Sequence, residues 1–175
     1  MGTTIWVTRD FEHMSEVASR LVIKKTAEIL KKKKEAVLGL ATGNSPTGLY
    51  KHFARAADKG LFDSGRIRSF NLDEYVGLPG DNIQQRVLHP ESYAYFMIQE
   101  LFSHLKKKFI ETLVPYGSLI DQKKLIRELK ENKSDWEFKG TDAGKSIAIK
   151  AKPSSEYLFW IRKEILGGYA RKLKA

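Results

Sequence analysis

The sequence predicts an α/β protein with a mostly parallel sheet flanked by helices, and an incomplete one. Three observations predict it. Short apolar segments alternate with amphipathic ones, the order that gives parallel strands joined by crossover helices. Leu38-Gly-Leu-Ala-Thr-Gly-Asn-Ser-Pro-Thr-Gly-Leu-Tyr-Lys51 reads as a buried strand running into a Gly/Ser/Thr turn and then a helix. The pattern ends on an amphipathic helix with no strand left to receive the crossover.

Each element has its own warrant. Ile5–Thr8 is a short apolar first strand, and Asp10 can cap a helix running to about Lys33. Met14, Val17, Ala18, Leu21 and Val22 fall on one face of that helix. Glu35–Ala41 is apolar almost throughout, as a strand covered on both faces should be. A helix follows over Pro46–Ala57, with Pro46 suited to its first turn. Leu61–Arg66 is a loop and Ile67–Leu72 the third strand. Leu78–His89, rich in Gly, Pro, Asp and Asn, reads as a long loop. A helix over Pro90–Lys107 carries Tyr93, Phe96, Met97, Leu101 and Leu105, and Thr112–Val114 is a fourth short strand.

The remainder is a charged helix, Asp121–Glu131, then a hairpin over Asp135–Ala151 turning at Gly140 and Gly144. A terminal helix spans Ser155–Lys174, with Ser155 or Ser154 as its N-cap. Leu158, Ile161, Ile165 and Leu166 form its apolar face, and Gly167-Gly168 weakens its middle.

Composition bounds the function. The chain has 175 residues, no cysteine and a net charge of +10. Disulfide frameworks and thiolate chemistry are excluded. No segment reads as a signal peptide or a membrane span, and Gly2 lacks the pattern of a lipid-attachment site, so a cytoplasmic protein is expected. The lysines at 31–34, 106–108, 172 and 174 sit at helix ends, where cations complement the helix dipole. The positive charge therefore reads as solvated helix ends rather than a nucleic-acid patch. The four histidines show no metal-ligand spacing; no metal is expected.

Two segments could carry chemistry. Thr42, Gly43, Asn44 and Ser45 form a turn whose amides and hydroxyls can cradle a phosphate beside a helix N-terminus. They read equally as an ordinary strand-to-helix turn. Asp73 and Glu74, in Ser69-Phe-Asn-Leu-Asp-Glu-Tyr-Val-Gly-Leu-Pro79, lie just past another strand, where open α/β sheets bind ligands. A carboxylate there could take a proton from carbon next to a carbonyl. Taken alone, the pair is also a common helix-capping or ion-pairing arrangement. His89, at a helix start, reads as structural or solvated.

Leu38–Lys51, Phe70–Pro79 and His89-Pro-Glu-Ser-Tyr-Ala-Tyr-Phe-Met97 resemble the glucosamine-6-phosphate deaminase (isomerase) family, which is related to the 6-phosphogluconolactonases. The resemblance covers roughly residues 1–110. It implies a Rossmann-like fold and conversion of glucosamine 6-phosphate to fructose 6-phosphate and ammonia. By motif, Asp73 corresponds to the general base, with Glu74 beside it, and Thr42–Ser45 to the phosphate and substrate loop. It implies no cofactor and no metal, and a small sugar phosphate as partner. Self-association into a homo-oligomer stays open.

The chain also departs from the family. The family's later Asp-Gly-His and Asn-Glu-Pro motifs, which help open the sugar ring, have no match; Asp142-Ala-Gly144 is no substitute. Later arginine and lysine phosphate ligands are missing too. The expected organisation is one α/β domain over 1–175: a family-like core to 115, an insertion at 116–152 and a terminal helix from 153. The chain is expected to be the N-terminal portion of a longer protein and a poor catalyst by itself. A lactonase-like hydrolase and a non-catalytic sugar-phosphate-binding domain are the alternatives.

Overall fold

A computed structural model describes residues 3–141 and 144–174 of the chain. Gly2 and Asp142-Ala143, considered above, lie outside the described residues. The chain divides into two compact units, Met1–Leu72 with Phe96–Leu113, and Asp73–Tyr95 with Val114–Ala175.

The first unit holds the sheet. Helix α1, Phe11–Lys32, starts where the Asp10 carboxylate accepts the His13 N–H at 2.7 Å. Its buried residues are Ser15, Ser19, Thr26 and Leu30, whereas Leu21 is 49% exposed. The expected face is thus rotated, and helix α2, Thr47–Asp58, explains why. A Cβ on Gly48 of α2 would stand 2.2 Å from Ser15 Oγ, so the two backbones approach through small residues. Met14 or Leu21 at that contact would force them apart.

Strands β1, Ala36–Leu40, β2, Ile67–Asn71, and β3, Glu111–Leu113, pair in that order, all parallel. In register, Leu40 stands opposite Asn71 and Phe70 opposite Leu113. Ala36, Leu40, Ile67, Ser69 and Asn71 are buried on one face. Val37 of β1 is exposed, so β1 is covered on one face and not on both as expected. Below the buried face lie Tyr50, Phe53, Met97, Leu101 and Leu105. The Phe53 ring packs 4.6 Å from Phe62 and edge-on to Phe109.

Ile5–Thr8, read as a first strand, is not one. Ile5 and Val7 are exposed, and among the described residues the segment joins no ladder. Apolar residues alone do not make a strand without a partner for the backbone. The helix expected over Pro90–Lys107 is shorter: α4, Tyr93–Glu100, ends before a 3₁₀ turn at Phe102–His104, which lets Leu101 and Leu105 both reach the core.

The second unit has its own core. The expected loop at Leu78–His89 contains a short helix, α3, Ile83–Val87, capped by Asn82. Helix α5, Gln122–Glu131, is capped by Asp121, and strands β4, Trp136–Lys139, and β5, Ser146–Ile149, form the expected antiparallel hairpin. The single terminal helix is instead α6, Glu156–Trp160, a π-helical stretch over Ile161–Leu166 and α7, Gly167–Lys174. Ser155 is its N-cap. Leu158, Ile161 and Ile165 are buried with Ile120, but the π-helical turn leaves Leu166 exposed.

Candidate functional site

The two candidate segments follow the carboxyl ends of neighbouring strands. β1 leads into the 42–45 turn, β2 leads into Asp73, and the buried Asn71 side chain donates to the Leu40 carbonyl at 3.2 Å. The turn belongs to the first unit, and Asp73 and Glu74 to the second.

In the turn, Gly43 has a φ of +97°, a conformation that side chains with a Cβ resist. The Thr47 hydroxyl donates to the Asn44 carbonyl at 2.9 Å, and the Tyr50 hydroxyl to that of Ala41. Burial pushes the Tyr50 hydroxyl up to about 12, so it stays a donor and pins the turn. No side chain caps α2, whose N-cap position is Pro46. By contrast, α1, α3, α5 and α6 each begin on a side-chain acceptor, and α4 receives the Glu74 carboxylate. Of the first-turn amides of α2, that of Thr47 donates to the Asn44 carbonyl at 3.4 Å, and among the described residues those of Gly48 and Leu49 are left for another acceptor. Among the described residues, the side chains of Thr42, Asn44 and Ser45 make no hydrogen bond, and Gly43, Asn44 and Ser45 are exposed. This is the equipment of an anion site.

Asp73 and Glu74 are adjacent in sequence and opposite in circumstance. One Glu74 oxygen accepts the N–H groups of Tyr75 at 2.8 Å and Tyr93 at 2.9 Å. The other accepts the Ser92 hydroxyl and the Ala94 N–H, both at 2.9 Å. Four donors, two of them at the start of α4, make Glu74 a clamp between its own segment and that helix. Asp73 is exposed, and its carboxylate has no hydrogen bond or ion pair among the described residues.

Tyr75 and Tyr93 pack beside the clamp, their rings tilted by 45° with centroids 4.9 Å apart and hydroxyls 3.3 Å apart. That hydrogen bond, with burial and nearby carboxylates, raises the Tyr75 hydroxyl above its ordinary value. His89 is tied down locally, its Nδ1 accepting the Glu91 N–H at 3.2 Å. Sequence reasoning located Asp73 and Glu74 but missed Ser92 and Tyr93 as their support. No local signal could have shown it, because Ser92 is 18 residues from Glu74 in the chain.

Comparison with known proteins gives these segments a context. The chain is 45% identical over 111 residues to a glucosamine-6-phosphate deaminase of Clostridium perfringens, covering 63% of this chain and 41% of that protein. A deaminase of the same name from Clostridium beijerinckii is 38% identical over 138 residues, or 79% of this chain and 50% of that one. The chain thus spans about half or less of the length of these curated relatives. A solved monomeric glucosamine-6-phosphate deaminase of the NagB superfamily superposes with a TM-score of 0.52 at 29% identity, covering 74% of this chain and 49% of that one. A 6-phosphogluconolactonase from Thermotoga maritima gives a TM-score of 0.52 at 22% identity over 76% of this chain and 55% of that one, a likeness of fold. No protein-family model matches. The chain is related to the glucosamine-6-phosphate deaminases and has the Rossmann-like fold of that superfamily. Among the described residues, no helix is long and apolar enough to cross a membrane, and no group of three or more His, Asp or Glu could hold a metal.

Proposed function

We propose that this chain carries the phosphate-binding turn and the proton-transfer carboxylate of an aldose–ketose isomerase that deaminates glucosamine 6-phosphate to fructose 6-phosphate. The contrast between Asp73 and Glu74 carries the reading. One carboxylate is saturated by donors and fixes the segment; the other is exposed and unengaged, ready to act as a base. The uncapped start of α2, with Thr42, Gly43, Asn44 and Ser45, takes the phosphate. Relatives named for this reaction support it.

In the open-chain sugar, Asp73 removes the proton on C2 and returns it to C1. The aldehyde becomes a hydroxymethyl group, and the amine on C2 becomes an imine. Water adds to that imine, ammonia leaves, and the ketose phosphate remains. Glu74 takes no proton in this scheme and acts as a positioning residue. A small sugar phosphate in the cytoplasm is the proposed partner.

Ammonia release from glucosamine 6-phosphate tests the reading. Release by the chain should fall at least about a hundredfold in Asp73→Asn, the range a general base contributes. Equal release by Asp73→Asn removes Asp73 from the role. No release from folded protein favours a sugar-phosphate-binding domain without turnover, and acid release from a phosphogluconolactone favours the hydrolase.

A further inference from the structure

We propose that the second unit contains a separate site for a small phosphate ester, built on Arg86. The site uses none of Thr42–Ser45 and not Asp73. Arg86 is only 6% exposed, yet among the described residues no carboxylate forms an ion pair with it. Its Nε donates to the Ser118 carbonyl at 2.8 Å and its Nη1 to the Gly80 carbonyl at 3.0 Å. Those two bonds fix the plane of the guanidinium and leave Nη2 with no hydrogen bond among the described residues. A buried cation held only by neutral carbonyls is costly, and an anion beside it offsets that cost.

Arg86 lines a cavity of about 410 Å³, within the range of small-molecule sites. The same cavity is lined by Lys123, a second cation, and by Gln122 at the start of the ten-residue helix α5. The Asp121 side chain, which also lines the cavity, is engaged in capping that helix by accepting the Lys124 N–H at 2.7 Å, and the Gln122 and Lys123 amides of the first turn do not share that cap. Guanidinium, ammonium and first-turn amides together match a phosphoryl group. Asp81 also lines the cavity, and its carboxylate makes no hydrogen bond among the described residues. It can accept from a hydroxyl or ammonium on the same ligand, so the site suits a phosphate ester carrying such donors better than a bare dianion.

Titration of the isotopically labelled full chain with inorganic phosphate and with glycerol 3-phosphate, at constant ionic strength in chloride, tests this by NMR. Backbone amides of residues 78–86 and 118–124 should shift saturably, more tightly with the ester. Lys123→Ala, at an exposed position, should weaken binding at these amides about tenfold while leaving shifts at 42–48 in place. Arg86→Lys, which keeps the charge and loses the fork, should weaken it at least as much. If Arg86→Lys fails to fold, Lys123→Ala decides alone. Absent shifts at 78–86 and 118–124, equal shifts with chloride alone, or unchanged affinity in Lys123→Ala would each overturn the site.

Discussion

The two units are held together by different physics. The first rests on the larger apolar cluster, with Phe53, Ile67, Met97, Leu101 and Leu105 almost fully buried and only uncharged polar groups such as Ser69 and Asn71 buried beside them, and its perturbed carboxylates pair with cations that stay partly exposed. The second has a smaller apolar cluster around Ile120, Leu158, Ile161 and Ile165, and buries charged groups inside hydrogen bonds. The hydrogen bonds that Asp135, Arg86 and the half-buried Glu74 make are to backbone groups and hydroxyls. Apolar packing tolerates pH and salt but not lost volume. A hydrogen-bonded charge tolerates salt but not the loss of its partner or its ionisation. Asp73 and Glu74, the carboxylates proposed to act in the site, belong to the unit built the second way.

The largest effect should come from Phe53→Ala. Phe53 is 2% exposed and meets both Phe62 and Phe109, so truncation opens a cavity costing about 3–5 kcal/mol. Amide hydrogen exchange should quicken in α2 and β1 well before α5 and α6. Equal acceleration in both units would break the comparison by making them one cooperative structure.

Much of this architecture was legible because it is local. The 38–51 strand, turn and helix announce themselves through apolarity, Gly43 and Pro46. Each helix start at Asp10, Asp121 and Ser155 is a short-range hydrogen bond readable in four residues. What the sequence hid depends on remote partners. The period of α1 was visible, but its phase was set by Gly48, thirty-odd residues away in sequence. Ile5–Thr8 has a strand's composition and no ladder to join. The candidate site divides the same way. The Asp73–Glu74 pair could be found in the sequence, but not which of the two is free. That is decided by donors 18 to 20 residues beyond Glu74. Arg86 looked like a loop residue, and only the fold shows it buried.

A smaller effect separates those two carboxylates. Glu74→Ala strips an acceptor from the N–H groups of Tyr93 and Ala94 and from the Ser92 hydroxyl. The loss of a helix cap predicts about 1–2 kcal/mol of destabilisation by urea unfolding. Asp73→Ala, at an exposed side chain without partners, should stay within about 0.5 kcal/mol of the parent. Equal losses from the two substitutions would mean that Asp73 is structural, and would undo the division of labour proposed for catalysis.

The subtlest test uses acid and salt together. Hydrogen bonds from the Ser155 and Ser154 backbone, then the Ser154 hydroxyl, and least of all the nearby Lys150 charge, hold the Asp135 carboxyl below its ordinary value against the opposing effect of burial. In the folded chain it accepts the Ser155 N–H at 2.8 Å and the Ser154 hydroxyl at 2.9 Å. Below the ordinary carboxylate value the unfolded chain binds the proton first. Stability from Asp135 is therefore present above that value and is lost as pH falls through the lowered folded one. In the first unit, Arg68 lowers Glu35 and Lys107 lowers Asp63, with the same sign. Those two are partly exposed ion pairs, which salt screens, whereas the donors to Asp135 carry no charge. Trp136 and Trp160 pack in the second core, so with the exposed Trp6 of the first unit replaced by Phe the tryptophan fluorescence follows the second unit, and amide exchange in β2 follows the first. Raising chloride should shrink the acid dependence seen in β2 and leave the tryptophan signal's dependence standing. Asp135→Asn should remove the latter. An acid dependence in the tryptophan signal that vanished with salt would show that the second unit, too, rests on ion pairs, and the distinction between the two units would fail.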